Sequence, residues 1–252
     1  MVRLQPLTLA LVLTAGLYAG PAPAAPAAVP TPAPTPAPSP LPLGDQPVRL
    51  DPAEFTARVA NPYLPLAAGS RWSYSTPGID GDVRTEVTAG TGTQRIADID
   101  TVPVRSVTTD AGGSVIRDAT RWYAQDGAGN VWLFGESGRD YIEGTLTGTD
   151  GWQAGRDGAQ PGIAMPARPV GGQRWRIAYS RGRAEDQAQV VGTGGRVSVP
   201  AGAYGDVVTV EETSRLRRGV RIHRSYAPGV GLVRSESPGA ADRTRLVAYR
   251  SG

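Results

Sequence analysis

Two carboxylates, Asp126 and Glu136, lie in the sequence segment YAQDGAGNVWLFGE, residues 123–136. A pair of acidic side chains can hydrolyse a glycosidic bond, provided that the two face each other about 5–10 Å apart. Spacing along the chain does not fix that distance, because it depends on the register of the strands that hold the side chains. The segment therefore allows a carboxylate-dependent glycan hydrolase with Asp126 and Glu136 as its catalytic candidates.

The turn in this segment also resembles a cation-binding loop. Asp126, Asn130 and, further along, Asp140 carry the oxygen ligands that calcium prefers. The EF-hand pattern is not met, because Ala128 occupies its third position, where an oxygen ligand is required. No metal is assigned on this pattern, and these three residues are retained as calcium candidates only.

A β-hairpin accounts for the same segment without any chemistry. RWYAQ and NVWLFG are typical of neighbouring strands, and residues 126–130, rich in Gly and Asn, are typical of the turn between them. The residues predicted to contact a ligand are aromatic: Trp122, Trp132, Phe134 and Trp152. Packing in a core is the alternative role of each.

Several reactions are excluded by composition. The sequence contains one histidine and no cysteine, which excludes Cys–His catalysis and ordinary structural zinc. His223 falls on the polar face of a predicted strand, and no GxSxG nucleophile motif accompanies it. No catalytic constellation is complete. The sequence therefore favours a protein that is not an enzyme and needs no cofactor, although it leaves the question of catalysis open.

The N-terminal residues predict export. A basic start and an apolar run lead to Ala22-Pro23-Ala24, a pattern read by signal peptidase, so residues 1–24 are a predicted signal peptide. Residues 25–44 are a predicted Pro/Ala-rich linker, and residues 45–252 a single β-rich domain. We expect a secreted or cell-envelope protein that has no transmembrane segment after cleavage. Without cysteine, we expect no lipid anchor.

Charge limits the choice of partners. The formal net charge is +3, and every basic residue except the single histidine is arginine. A dedicated nucleic-acid binder would be far more basic, so nucleic acid is excluded as a partner. Arginines cluster within residues 215–224, close to Glu211 and Glu212, which predicts a solvated and mutually compensated face.

The elements of the domain follow from its hydrophobic pattern. The segment DPAEFTARVA, residues 51–60, predicts one short N-terminal helix capped by Asp51, with Glu54 completing a capping box. From Arg71 onward, short alternating runs predict antiparallel strands, and residues 144–172 read as a long ordered loop. The predicted fold class is mainly β (α+β): a single curved antiparallel sheet or half-barrel with one short helix.

Separated blocks of this sequence resemble a family of uncharacterised exported bacterial proteins. These blocks include NPYLPL, AQDGAGNVWLFGE and YAPGVGLV. The last block also resembles the end of domains of unknown function with a half-barrel like that of lipoprotein carriers. That resemblance implies a concave face for an apolar or lipid ligand.

We therefore predict an exported, non-catalytic binding protein for an unknown apolar or amphiphilic small molecule. Two alternatives remain open. One is the carboxylate-dependent glycan hydrolase, and the other is a structural or adhesive protein that binds a component of the cell envelope.

Overall fold

The computed structural model describes residues 40–239 and 243–252. These residues belong to one compact unit, Pro38–Gly252. The predicted signal peptide, residues 1–24, and most of the predicted linker lie outside the described residues. The end of that linker does not: Pro42 and Gly44 already contact the domain, since their carbonyls accept hydrogen bonds from Arg176.

β-Strands dominate the described residues. In the first half of the chain they are β1 (Phe55–Thr56), β2 (Ala60–Asn61), β3 (Leu64–Pro65), β4 (Arg71–Thr76), β5 (Val83–Ala89), β6 (Gln94–Ile96), β7 (Ile99–Thr109), β8 (Val115–Asp126) and β9 (Val131–Ile142). In the second half they are β10 (Thr145–Gln153), β11 (Gln160–Met165), β12 (Arg174–Ser180), β13 (Ala184–Val199), β14 (Gly202–Ser214), β15 (Arg217–Ala227), β16 (Gly231–Glu236) and β17 (Arg243–Arg250). All pairings are antiparallel, which confirms the mainly β prediction.

The sheet closes on itself. Among the described residues, twelve strands form a ring in the order β8-β7-β5-β4-β17-β16-β15-β14-β13-β12-β11-β9, and β9 pairs with β8 to complete it. The prediction of a half-barrel or open curved sheet was wrong. Closure requires pairing between β4 and β17, which lie at opposite ends of the domain sequence. Alternation within each strand gives no sign of such a long-range pair.

The predicted helix is reduced to one turn. Asp51 caps it as expected, accepting a hydrogen bond of 3.0 Å from the amide of Ala53. Only Pro52–Glu54 is helical, in the 3₁₀ form, because the following residue, Phe55, pairs as strand β1 with Asp126 at the end of β8. Pairing with the sheet therefore overrides the local helix signal.

The prediction of a long loop over residues 144–172 was also wrong. It contains two strands, β10 and β11, and both pair with β9. Glycines interrupt the alternation of apolar and polar residues by which strands are recognised. They are favoured here because neighbouring strands approach each other closely. At Gly151, for example, a Cβ would lie 2.7 Å from the carbonyl oxygen of Glu136.

Two apolar clusters pack against the barrel wall. The inner cluster fills part of the barrel and includes Trp72, Val104 and Trp175. Residues 59–66, here called the plug, contribute Val59 and Leu66 to it.

The other cluster, here called the outer cluster, lies against β9 and includes Ile96, Ile99 and Phe134. Three of its members, Leu133, Trp152 and Ala178, also line the interior of the barrel. Within the described part of the chain, no helix is long and apolar enough to cross a membrane.

Candidate ligand cavity

The inner cluster does not fill the barrel, and a cavity of about 240 Å³ remains inside it. Apolar side chains line one part of this cavity, among them Leu64, Leu66, Trp72, Val104, Ile177 and Leu232. The apolar part lies toward the plug, which itself supplies Leu64 and Leu66. The charged part lies toward the β14–β15 hairpin, from which Arg217 and Val220 also line the cavity. We call this end of the barrel the hairpin end.

Strand alternation carries charged side chains into the cavity. On β8, Arg121 and Tyr123 both line it, whereas the intervening Trp122 does not. On β15, Arg224 and Tyr226 do the same. Because both arginines share a face with a buried tyrosine, they cannot belong to a solvated outer face. This corrects the interpretation of the arginine cluster for Arg224.

Arg121 is paired with Glu136 on the neighbouring strand. Its Nε donates a hydrogen bond of 3.0 Å to Glu136 Oε2, and the register places the two residues opposite each other. Burial alone would raise the pKa of Glu136, but the charges of Arg121 and Arg117 outweigh burial and hold it below its usual value. Burial alone would lower the pKa of Arg121, which Glu136 raises instead. Both groups are therefore charged near neutral pH.

A second pair, Arg224 and Glu212, lies across the β14–β15 ladder. Arg224 Nε donates to Glu212 Oε2 at 2.7 Å, and both side chains are about three-quarters buried. The charge of Glu212 raises the pKa of Arg224 despite burial. Burial also raises the pKa of the nearby Tyr226 hydroxyl, which is therefore neutral at ordinary pH. The two ion pairs thus neutralise most of the charge in this part of the cavity.

Asp186 on β13 is the third carboxylate of the cavity. It lies opposite Ser214, which is two residues along β14 from Glu212. Burial raises its pKa and the negative charge of Glu212 adds to the shift, whereas a hydrogen bond from the Ser214 hydroxyl and the charges of Arg217 and Arg121 oppose it. Unlike Glu136 and Glu212, it forms no ion pair with any residue in the described ranges.

Arg117 links three strands nearer the hairpin end. Its guanidinium donates to Asp140 at 2.8 Å, to Asp150 at 2.9 Å and to Glu136 at 3.3 Å. Gly138 permits this arrangement, because a Cβ there would overlap both Asp150 and Arg117. Asp140, a calcium candidate, therefore has an arginine as its partner.

The turn of residues 126–130 is held by its own polar side chains. The carboxylate of Asp126 accepts hydrogen bonds of 2.8 Å from the Asn130 amide, from Asn130 Nδ2 and from Trp132 Nε1. Asn130 Oδ1 accepts another from Ala167 at 2.8 Å. Gly129 adopts a positive φ of 93°. The predicted hairpin is confirmed, and the hydrogen bonds of Asp126 and Asn130 stabilise its turn.

Asp126 and Glu136 do not face each other. Glu136 lies opposite Arg121, and Asp126 lies five residues further along β8 at the turn. At about 3.3 Å per strand residue, the two carboxylates are separated by ~17 Å along the hairpin. A glycosidase pair needs about half that distance. The catalytic pair named from the sequence is therefore not assembled.

The four aromatic ligand candidates are divided between two locations. Trp152 lines the cavity, with 8% of its surface exposed. Trp132 and Phe134 lie outside the barrel wall, where Phe55 packs edge-on against their rings at 5.9 and 5.6 Å between centroids. Trp122 packs against the same outer cluster. Of the four, only Trp152 is placed to touch a molecule in the cavity.

Sequence reasoning missed the charged residues of the cavity, Arg121, Asp186, Glu212 and Arg224. One signal could have found Arg121: in RWYAQ it shares a face with Tyr123, so burial of the tyrosine carries the arginine inward. Across residues 40–239 and 243–252, no three His, Cys, Asp or Glu side chains come together in a group that could hold a metal ion.

No protein-family model matches this chain, and no curated protein matches it either. Two solved structures are similar to a limited degree. One, provisionally described as a lipoprotein of Parabacteroides distasonis, has 13% identity and a TM-score of 0.42, with 75% of this chain and 98% of that one covered. The other, provisionally described as an exported protein of Bacteroides fragilis with a YmcC-like fold, has 15% identity and a TM-score of 0.42, with 75% and 99% covered.

Similarity this low adds nothing to what the residues of this chain show. Those residues define a closed antiparallel β-barrel with an interior cavity, apolar toward the plug and charged toward the hairpin end.

Proposed function

We propose that this chain is an exported, non-catalytic binding protein that holds a small amphiphilic molecule inside its barrel. The observation that carries the proposal is the cavity itself, because it combines an apolar wall with convergent polar groups. Ligand sites in proteins have this composition: mostly apolar surface with a few placed polar atoms. A purely structural barrel interior would be filled by side chains instead.

The cavity volume limits the size of the guest. At about 240 Å³ it exceeds the ~150 Å³ apolar cavity that is known to take up benzene. It is smaller than the ~300–1,000 Å³ pockets that bury drug-sized ligands. A molecule with a short aliphatic or aromatic body and one polar head group fits these limits.

Binding without catalysis is supported by the pairing of the charged groups. Glu136 and Glu212 are both bound to arginines, at 3.0 and 2.7 Å, so each carboxylate is already engaged by a partner within the protein. The hydrolase alternative is weakened, because its two catalytic candidates lie far apart: Asp126 belongs to the turn, and Glu136 lies opposite Arg121.

Export is supported by the N-terminal sequence alone. The apolar run before Ala22-Pro23-Ala24 is typical of a signal peptide. We propose a secreted or cell-envelope location on that basis. A structural or adhesive role in the envelope is the remaining alternative.

Native mass spectrometry tests the proposal. The protein is purified from an exporting host without added ligand, and a cavity-filling variant, Ala164→Phe, is prepared in the same way, because Ala164 lines the cavity. We expect a discrete bound mass that is lost in the variant, or uptake of added 1-hexanol by the wild type only. A bare polypeptide mass together with no uptake of 1-hexanol by the wild type would refute ligand binding.

A further inference from the structure

We propose that the ligand carries a protonated amine that binds the carboxylate of Asp186. This inference rests on the proposed function and names the head group of the molecule in the cavity. It follows from which polar groups of the cavity already have partners and which do not.

Both of the enclosed arginines are already paired. Arg121 is bound to Glu136 at 3.0 Å and Arg224 to Glu212 at 2.7 Å, so neither cation is free to receive an anionic head group. Arg217, the third arginine that lines the cavity, lies at the hairpin end and is exposed to solvent. An anionic ligand would have to break one of the two existing ion pairs or bind at the solvent-exposed end beside Arg217.

Asp186 is in the opposite situation. Within the described ranges it forms no ion pair, although the Ser214 hydroxyl donates a hydrogen bond to it and the charges of Arg217 and Arg121 attract it, and the charge of Glu212 repels it. Burial outweighs these attractions and disfavours the ionised form, so the pKa of Asp186 is raised. A cation placed against Asp186 would remove this penalty.

The chemistry of the missing partner follows directly. An ionised carboxylate only accepts hydrogen bonds, so its complement must donate them. An ammonium group donates up to three and carries the compensating charge, and bonds between charged partners are roughly twice as strong as neutral ones. A carboxylate head group would instead meet the negative charges of Asp186 and Glu212.

The aromatic lining of the cavity favours the same head group. Trp72, Tyr74, Tyr123, Trp152 and Tyr226 all line it. Aromatic ring faces attract cations, and the attraction grows when the cation is removed from water. An amine entering among these rings is therefore stabilised by its surroundings as well as by Asp186.

Three probes of equal chain length test the assignment: n-hexylamine, 1-hexanol and hexanoate. Their affinities are measured by isothermal titration calorimetry at pH 7, on the full chain purified without added ligand. Asp186→Asn removes the charge and retains the shape of the side chain. Glu185→Gln is the matched control, since Glu185 is adjacent and its Oε1 accepts a hydrogen bond from Gly182 that glutamine can also accept.

We expect n-hexylamine to bind about tenfold to a hundredfold more tightly than 1-hexanol, the range typical of a charge-assisted hydrogen bond. That preference should disappear in Asp186→Asn and persist in Glu185→Gln. Equal binding of the amine and the alcohol, or tightest binding of hexanoate, would overturn the amine assignment while leaving ligand binding intact. If none of the three binds, the amine assignment and the proposed function fail together.

Discussion

Neutralising Glu136 should destabilise the barrel, because it leaves Arg121 inside the wall without its counter-ion. Glu136→Gln keeps the shape of the side chain and removes its charge. Removing one partner of a fully buried ion pair costs about 3–5 kcal/mol, whereas an exposed pair contributes about 0–1 kcal/mol. Glu136 is 20% exposed, but the side chain of Arg121 is 46% exposed. We therefore expect an intermediate loss of about 1–2 kcal/mol.

Thermal unfolding followed by circular dichroism measures this loss. For a domain of this size, each kcal/mol corresponds to about 2–4 °C in Tm, so Glu136→Gln should lower Tm by about 2–8 °C at pH 7. Asp118→Asn is the control, because Asp118 forms a two-bond pair with Arg105 on the outer surface, where Arg105 is 62% exposed. The control should change Tm by no more than about 4 °C, and by less than Glu136→Gln.

The loss should depend on pH with a definite sign. The pKa of Glu136 in the folded protein lies below its ordinary value of 4.5. A carboxylate with a lowered pKa contributes stability that is fully present above the unfolded value and is lost as the pH falls through the folded value. The gap in Tm between wild type and Glu136→Gln should therefore narrow below pH 4.5. A gap that is absent at pH 7, or that stays constant down to pH 3, would refute this account.

Three further predictions concern other parts of the barrel. Asp126→Ala should lower the free energy of unfolding in urea by about 2–4 kcal/mol, because it removes the acceptor of three hydrogen bonds, while the affinity for 1-hexanol stays unchanged. Loss of that affinity without loss of stability would contradict the scaffolding role. Ala164→Phe should lower the affinity for 1-hexanol at least tenfold by filling the cavity, while the far-UV spectrum still reports a β-protein; an unchanged affinity would place the probe elsewhere. Arg176→Met should speed amide hydrogen exchange at Val48, because Arg176 bonds to the carbonyls of Gly44 and Gln46 and thereby holds that segment on the barrel; unchanged exchange would show that other contacts hold it.

Local pattern predicted the strands and the hairpin of residues 123–136. The alternation of large and polar side chains follows from the pleat, and the Gly-rich turn with Asn130 follows from backbone conformations that other residues avoid. Both are properties of neighbouring residues, which a sequence displays directly. The same is true of the cap at Asp51, which forms as predicted.

Closure of the barrel depends on distant residues, and the sequence does not display it. The helix after Asp51 ends early because Phe55 finds a pairing partner in Asp126, 71 positions away in the chain. β10 was not predicted because Gly148 and Gly151 interrupt its pattern, and at Gly151 a Cβ would lie 2.7 Å from the carbonyl oxygen of Glu136 on β9. Such constraints become visible only when the neighbouring strand is known.

The charged part of the cavity escaped prediction for a different reason. Arginine and glutamate in an alternating strand usually mark the solvated face, and Glu211 with His223 on β14 and β15 follows that rule at 3.2 Å. Glu212 and Arg224, one position along, break it by facing the interior. The face that carries Glu212 and Arg224 becomes an interior surface only because the sheet closes into a barrel.

The pairing of β4 with β17 also has a consequence for how the protein is made. Thr76 and Thr244, which share a hydrogen bond between these strands, are 168 positions apart in the chain. Contacts of such long range form late and slowly, because the intervening chain must be ordered first. The cavity cannot form until β17 has been synthesised and has paired with β4. Any molecule held inside the barrel can therefore enter only after the whole domain has been made and has folded.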